Sequence, residues 1–176
     1  AGYPESKRVG EALCNAYSSK YGLEMVLPRL CRIYGPTMQR TDTKALSQFI
    51  GNALHKEDIV LKSEGNQLYS YCYAADAVSA LLYVLLCGTS NEAYNIADKR
   101  SDIALKDLAQ TIAGLAGNQV VFQLPDQVEA AGFSKATKAL LDASKLQGLG
   151  WRAQESIASG LAKTIKILEQ NNLSSV

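Results

Sequence analysis

Apolar positions recur along the chain with two periods, and their alternation predicts a mixed α/β fold. Val9, Leu13, Ala16 and Tyr17, with Ala12 between them, form a 3.6-residue stripe that predicts a helix from about Pro4 to Lys20, stopped by Gly22. A strand is expected at Met25 to Leu30, and Tyr34-Gly35-Pro36 opens a polar loop reaching about Thr43. Leu46, Phe49, Ile50, Ala53 and Leu54 predict a helix over 45–56. Short strands follow at Ile59 to Leu61 and Tyr69 to Tyr73, separated by the Glu64-Gly65-Asn66 turn. The run from Ala77 to Cys87, interrupted by Ser79, reads as a buried helix beginning near Asp76 and is too short to span a bilayer. Beyond it the pattern predicts a strand at Tyr94 to Ile96, a helix over 105–116 and a strand at Val120 to Leu124. A final helix over 155–169 places Ile157, Leu161, Ile165 and Leu168 on one face. Periodicity fades between Pro125 and Thr137, where Gly132 intervenes, and a surface loop is expected.

With 176 residues and 47% hydrophobic content, the chain can bury a substantial core, and one domain is the default on size. A formal net charge of +1 gives no electrostatic case for nucleic acid or membrane binding. No basic apolar leader precedes Tyr3. Cys14, Cys31, Cys72 and Cys87 lack CxxC spacing and sit in apolar segments, so they read as reduced core thiols of a cytoplasmic protein, with no metal site.

The candidate chemistry lies at the start. Tyr3 and Lys7 are four residues apart, about one helical turn, so the ammonium can reach the phenol, and Pro4 in the first turn loses no hydrogen bond. A free tyrosine titrates near ~10, and a fixed cation stabilises its phenolate, giving a pair able to exchange a proton with a sugar or alcohol hydroxyl. Spacing alone is weak, because chance supplies roughly 0.6 such pairs in a chain of this composition.

Further segments give it context. Tyr3-Pro4-Glu5-Ser6-Lys7-Arg8-Val9-Gly10-Glu11, Tyr21-Gly22 and Pro28-Arg29-Leu30-Cys31-Arg32-Ile33-Tyr34-Gly35-Pro36 come first. Ser70-Tyr71-Cys72-Tyr73-Ala74-Ala75-Asp76, Glu92-Ala93-Tyr94-Asn95-Ile96, and Asp142-Ala143-Ser144-Lys145 with Leu149-Gly150-Trp151 follow in order. Together they resemble the extended short-chain dehydrogenase/reductase family, specifically its NAD-dependent nucleotide-sugar epimerases, dehydratases and decarboxylases. The resemblance implies the C-terminal portion of a Rossmann-type fold. Residues 1–35 would be the remnant of the NAD-binding domain, and 36–176 mainly a small mixed α/β substrate-binding region with some elements returning to the Rossmann sheet. The glycine-rich turn that would hold the cofactor pyrophosphate is not found, since Gly114-Leu115-Ala116-Gly117 falls at a helix end.

Under this resemblance Tyr3 is the general acid/base at the sugar 4-hydroxyl during transient C4 oxidation, and Lys7 bonds the nicotinamide ribose. Leu30 and Cys31 pass near the nicotinamide. The substrate is a nucleotide-diphosphate sugar, and the Tyr3 to Lys20 helix is the homodimer face. Two residues depart from the family: Arg32 stands where asparagine is usual, and Tyr69 where a diphosphate-gripping arginine is usual. Arg32, Lys135 or Lys138 could supply the missing charge. Asp76 is expected as an N-cap, His55 as a C-terminal dipole partner and Trp151 as a core anchor. The alternative from another class is a diverged, non-catalytic sugar-nucleotide binding domain.

Overall fold

The computed structural model describes residues 2–39, 41–123 and 137–173. Helix α1 spans Gly2–Tyr21 and ends where Gly22 takes a left-handed conformation, φ +66°, its amide donating to the Ser18 carbonyl. Strand β1, Val26–Leu30, and β2, Arg32–Tyr34, follow with only Cys31 between them. Next come α2 (Ala45–Leu54), β3 (Ile59–Leu61), β4 (Leu68–Tyr73) and α3 (Ala74–Cys87). The chain continues through β5 (Glu92–Ile96), a 3-10 turn at Lys99–Ser101, β6 (Asp102–Ala104), α4 (Leu105–Ala116) and β7 (Val120–Phe122). After the segment outside the described residues come β8 (Lys138–Ala139), α5 (Ser144–Gly148) and α6 (Ile157–Leu173).

Three small sheets share these strands. β1 pairs in parallel with β5, with Leu30 opposite Ile96, and β3 pairs in parallel with β7. β4 is the hub of the third sheet. Its C-terminal half pairs in parallel with β2, Arg32 opposite Tyr71, while its N-terminal half takes antiparallel β6 and parallel β8. The chain therefore leaves the β1–β5 pair and enters the β4 sheet at Cys31, whose amide donates to the Ile96 carbonyl.

Two cores result. The larger joins Phe49, Ile50, Ile59, Leu61, Leu108, Ile112, Leu161 and Ile165, packing α2, α4 and α6 around β3. Each such fully buried Leu or Ile contributes roughly 1.5–3 kcal/mol. The smaller gathers Cys72, Ala77, Ala80, Val84, Tyr94, Ile96, Leu146 and Trp151 between α3, β5 and α5.

Several expectations need correction. α3 is not buried all round: Asp76, Ala77, Ala80 and Val84 face inward, while Val78, Leu82, Leu85 and Leu86 are exposed, because α3 has a layer beneath it and none described above. It begins at Ala74 because the extended backbone at Tyr73 (ψ 142°) turns directly into the helix, so Tyr73, not Asp76, occupies the N-cap. Of the four free thiols only Cys72 is buried; Cys14 and Cys31 are half-buried and Cys87 is exposed, because it ends α3 on its outer side. The short elements β6, β8 and α5 carry too few residues to show a period. Most of the expected loop from Pro125 to Thr137, with Lys135, lies outside the described residues.

Candidate active site

Helix geometry brings Tyr3 and Lys7 together. One turn separates them, and the Lys7 Nζ lies 5.4 Å from the centre of the Tyr3 ring, over its face. The ring is 74% exposed, so both polar groups are open to a ligand approaching α1. Ser6 Oγ donates to the Tyr3 carbonyl at 2.8 Å and closes the first turn. The helix is fixed along β1 by Arg29, whose Nε and Nη2 donate to Glu11 at 2.7 and 2.6 Å. That fork holds the Glu11 carboxyl below its usual range and raises Arg29.

Leu30 and Cys31 stand at the carboxyl end of β1, beside the end of parallel β5. In open α/β folds, ligands bind outside the carboxyl ends of parallel strands. Leu30 is exposed there. The hydrogen-bonded contact between the Cys31 and Cys72 thiols, reinforced by burial, pushes the Cys72 thiol well up, which leaves it inert. Arg32, the next residue, lays its guanidinium on the Tyr69 ring, with Cζ 3.6 Å from the centroid. Tyr71, opposite Arg32 in the ladder, is pushed up to about 12 by burial, against the opposing charge of Arg32, and is unsuited to proton transfer near neutral pH. Lys138 pairs with Leu68, and Ala139 with Tyr69, so strand alternation puts Lys138 on the other face of β4 from the Arg32 stack.

Tyr69 also lines a cavity of about 400 Å³ whose apolar walls include Phe49, Val60, Leu61 and Leu105. Gln48, Asn52, Lys62, Ser63 and Gln67 supply its polar groups. The Gln67 side-chain oxygen is buried with no hydrogen-bond partner. Such an orphan acceptor in a roomy pocket matches a ligand that carries an N–H or O–H donor. The lining unites Tyr69 with residues of α2 and β3, but includes none of Tyr3, Lys7, Leu30, Cys31, Arg32 or Lys138.

The profile described as the NAD dependent epimerase/dehydratase family matches residues 1–97, which include the Tyr3–Lys7 helix, the β1–β2 crossing and β4. The chain belongs to this family.

The relatives of this epimerase/dehydratase chain extend the match beyond residue 97. It is 29% identical over 160 residues to UDP-glucuronic acid decarboxylase 3 of Arabidopsis thaliana, covering 90% of this chain and 45% of that protein. It is 28% identical over 172 residues to human dTDP-D-glucose 4,6-dehydratase, covering 96% and 48%. The chain thus spans about half the length of these curated relatives. Among solved structures, UDP-glucose 4-epimerase of Thermotoga maritima with UDP-glucose superposes with a TM-score of 0.83 at 24% identity, over 97% of this chain and 54% of that one. dTDP-glucose 4,6-dehydratase of Bacillus anthracis in complex with NAD gives 0.82 at 21%, over 98% and 53%. These likenesses show that the α/β arrangement is that of the epimerase/dehydratase fold.

Sequence reasoning missed the cavity residues of this family member. Gln48 and Asn52 sit on the polar side of α2 and Gln67 lies in the loop just before β4, and only the packing of these segments around one cavity makes them converge. Asp76, expected as a cap, is instead a buried carboxylate that accepts the Gln154 and Glu155 amides at 3.0 and 2.9 Å, tying the segment before α6 to α3. Trp151 is buried as expected and donates from Nε1 to Ser79 Oγ, and His55 is the C-cap of α2. Among the described residues no group of three or more His, Cys, Asp or Glu is placed to hold a metal, and no helix is long and apolar enough to cross a membrane.

Proposed function

We propose that the chain carries the proton-transfer pair and the substrate-binding region of an NAD-dependent nucleotide-sugar epimerase, dehydratase or decarboxylase. The observation that carries the reading is the Lys7 ammonium over the open face of Tyr3. In this reading Tyr3 exchanges a proton with the sugar 4-hydroxyl while that carbon is transiently oxidised. Lys7 bonds a ribose hydroxyl and counters the negative charge that develops on the phenol oxygen. Leu30 and Cys31 form the wall beside the nicotinamide. NAD, when bound, supplies the hydride acceptor. The residues present fit only the nicotinamide-ribose end of that cofactor. Gly114 and Gly117 belong to α4 and its left-handed cap, and among the described residues no glycine turn joins a strand to a helix to receive the pyrophosphate.

The two-part organisation, residues 1–35 on the cofactor side and 36–176 mainly on the substrate side, is supported by β5 returning to pair with β1. The substrate assigned is a UDP- or dTDP-sugar, whose base suits the Gln67 cavity. The exposed Val9, Leu13 and Tyr17 stripe on α1 is assigned as the homodimer face.

The test is Tyr3→Phe, assayed with NAD and UDP-glucuronate, UDP-glucose or dTDP-glucose in a protein that contains this chain together with a cofactor-binding half. Turnover should fall at least ~100-fold, the usual contribution of a positioned acid/base, while cofactor affinity is kept. Unchanged turnover would reject Tyr3. No turnover in either protein, with sugar-nucleotide binding retained, would favour the non-catalytic binding domain.

A further inference from the structure

Two of the four thiols meet. Cys31 stands at the crossing from β1 to β2, fixed by its amide on the Ile96 carbonyl at 3.1 Å. Cys72 lies on β4 opposite Ile33 of β2, and Cys31 precedes Ile33 by two residues, which sets Cys31 and Cys72 on one face of the ladder. Cys31 packs against the smaller core, of which Cys72 is a member, and the two thiols share a side-chain hydrogen bond. Apart from that contact, each sulfur among the described residues reaches only the carbonyl of the next residue, Cys31 to Arg32 at 3.8 Å and Cys72 to Tyr73 at 3.6 Å. Neither is held away from the other by a strong bond.

The pair is asymmetric. Cys31 is half-buried between the exposed residues Leu30 and Arg32, whereas Cys72 is 1% exposed. A reagent from solvent therefore meets Cys31 first. The hydrogen bond with Cys31, ahead of burial, is what raises the Cys72 thiol and keeps it inert. A group attached to the Cys31 sulfur ends that bond, so the restraint on Cys72 is eased at the moment a leaving group sits beside it.

We propose that Cys31 is a site of reversible thiol modification and Cys72 its resolving thiol, the two closing to a disulfide in the presence of a disulfide oxidant such as oxidised glutathione. The Cys31 thiolate attacks one sulfur of the oxidant, forming a mixed disulfide and expelling the first glutathione thiolate. Cys72 gives its proton to solvent and attacks the Cys31 sulfur, and the protein S–S bond forms as the second glutathione thiolate leaves. Two protein thiols are thus oxidised while one oxidant disulfide is reduced to two thiols. Reducing surroundings keep the pair open, so the bond is conditional and not part of the resting fold. The chemistry of the pair is independent of the nucleotide-sugar reading; only its consequence rests on that reading, in which Cys31 belongs to the nicotinamide wall.

Oxidised glutathione added without denaturant at pH 8 to the 176-residue chain carrying Cys14→Ser and Cys87→Ser tests this by intact mass and peptide mapping. The product should be lighter by two hydrogens, yield a linked Cys31–Cys72 peptide and revert with dithiothreitol. Adding Cys72→Ser should stop the reaction at the mixed disulfide on Cys31, at least tenfold above its level in the parent. Adding Cys31→Ser should leave Cys72 unmodified. A parent that accumulates the mixed disulfide without the linked peptide overturns the resolving role. Modification of Cys72 in the folded Cys31→Ser variant overturns the order of attack, and a parent in which neither thiol reacts overturns the site. Should a serine variant not fold, acid-trapped time points of the parent decide: the mixed disulfide on Cys31 preceding the linked form supports the proposal, and one on Cys72 overturns it.

Discussion

The Glu11 carboxylate receives both Nε and Nη2 of Arg29, at 2.7 and 2.6 Å, and so ties the helix that carries Tyr3 and Lys7 to the strand that ends at Leu30. Apart from Ser18 Oγ on the Leu23 carbonyl, it is the side-chain hydrogen bonding that joins α1 to the segment after it among the described residues. Within α1 only Ser18 is buried, so the orientation of the Tyr3–Lys7 pair depends on this fork.

Acid should therefore loosen α1 first. The Arg29 hydrogen bond lowers the folded-state pKa of Glu11 below its unfolded value. The stabilisation is accordingly complete above the ordinary glutamate range and is lost as pH falls through the lower folded value. Circular dichroism from pH 6 to pH 3 should show an early helical loss that Glu11→Gln, already detached at pH 6, does not show. Identical titrations would mean that the fork does not hold the helix.

Asp76 should matter for stability rather than for chemistry. Its two carboxylate oxygens satisfy the Gln154 and Glu155 amides, and the residue is buried. Asp76→Asn turns one acceptor into a donor facing an N–H, and one buried orphan of this kind costs about 1–3 kcal/mol. An unfolding free energy lowered by that amount in a urea titration, seen as a lower midpoint at an unchanged slope, with nucleotide binding kept, is expected. An unchanged midpoint would show that the segment before α6 is held by other contacts.

What the sequence revealed and what it hid follow from the same physics. α2 and α4 were legible because each has a clear helical period, β3 because it is an apolar run that ends before the Glu64-Gly65-Asn66 turn, and the helix over 105–116 coincides with α4. Periodicity states which residues share a face and not what covers that face. Leu13 and Tyr17 on α1 and Leu82 and Leu85 on α3 were thus visible as apolar faces, while their exposure was not. The Tyr3–Lys7 contact is local to one turn and could be read directly. The Arg32–Tyr69 stack spans two strands and depends on the register of β2 against β4, which no local pattern encodes.

Alkylation should separate the thiols. Cys87 is exposed, whereas Cys72 is 1% exposed and its thiol is pushed up by its hydrogen bond with Cys31. Because the thiolate is the nucleophile, iodoacetamide at pH 8 should modify Cys87 well before Cys72 in the native chain. Peptide mass mapping that finds Cys72 modified first would contradict this packing.

The Tyr34 ring packed against α6 makes Gly160 hard to replace. A Cβ there would lie 2.2 Å from the Tyr34 hydroxyl and 3.0 Å from its ring, and Tyr34 is buried. Gly160→Ala should therefore destabilise by about 1–3 kcal/mol through overpacking, despite alanine's better helix propensity. Tyr34→Phe removes the nearest atom and should restore part of the loss, since the hydroxyl's own bonds to the Ser156 and Ile157 carbonyls are long, at 3.5 and 3.3 Å. Additive losses in the double variant would place the strain elsewhere.

Gln67 offers the sharpest separation of stability from binding. Its side-chain oxygen is buried without a partner at the edge of the 400 Å³ cavity, an arrangement that disfavours the folded chain and rewards a ligand that donates there. Uracil and thymine each carry one ring N–H able to do so. Gln67→Leu keeps much of the side-chain volume and removes the orphan, so the melting temperature should stay level or rise. The same change should lower affinity for uridine and thymidine by roughly 2- to 10-fold, the equivalent of about 0.5–1.5 kcal/mol for one hydrogen bond. A fall in both quantities would indicate that Gln67 is bonded within the protein, and a rise in stability with unchanged affinity would place the base outside this cavity.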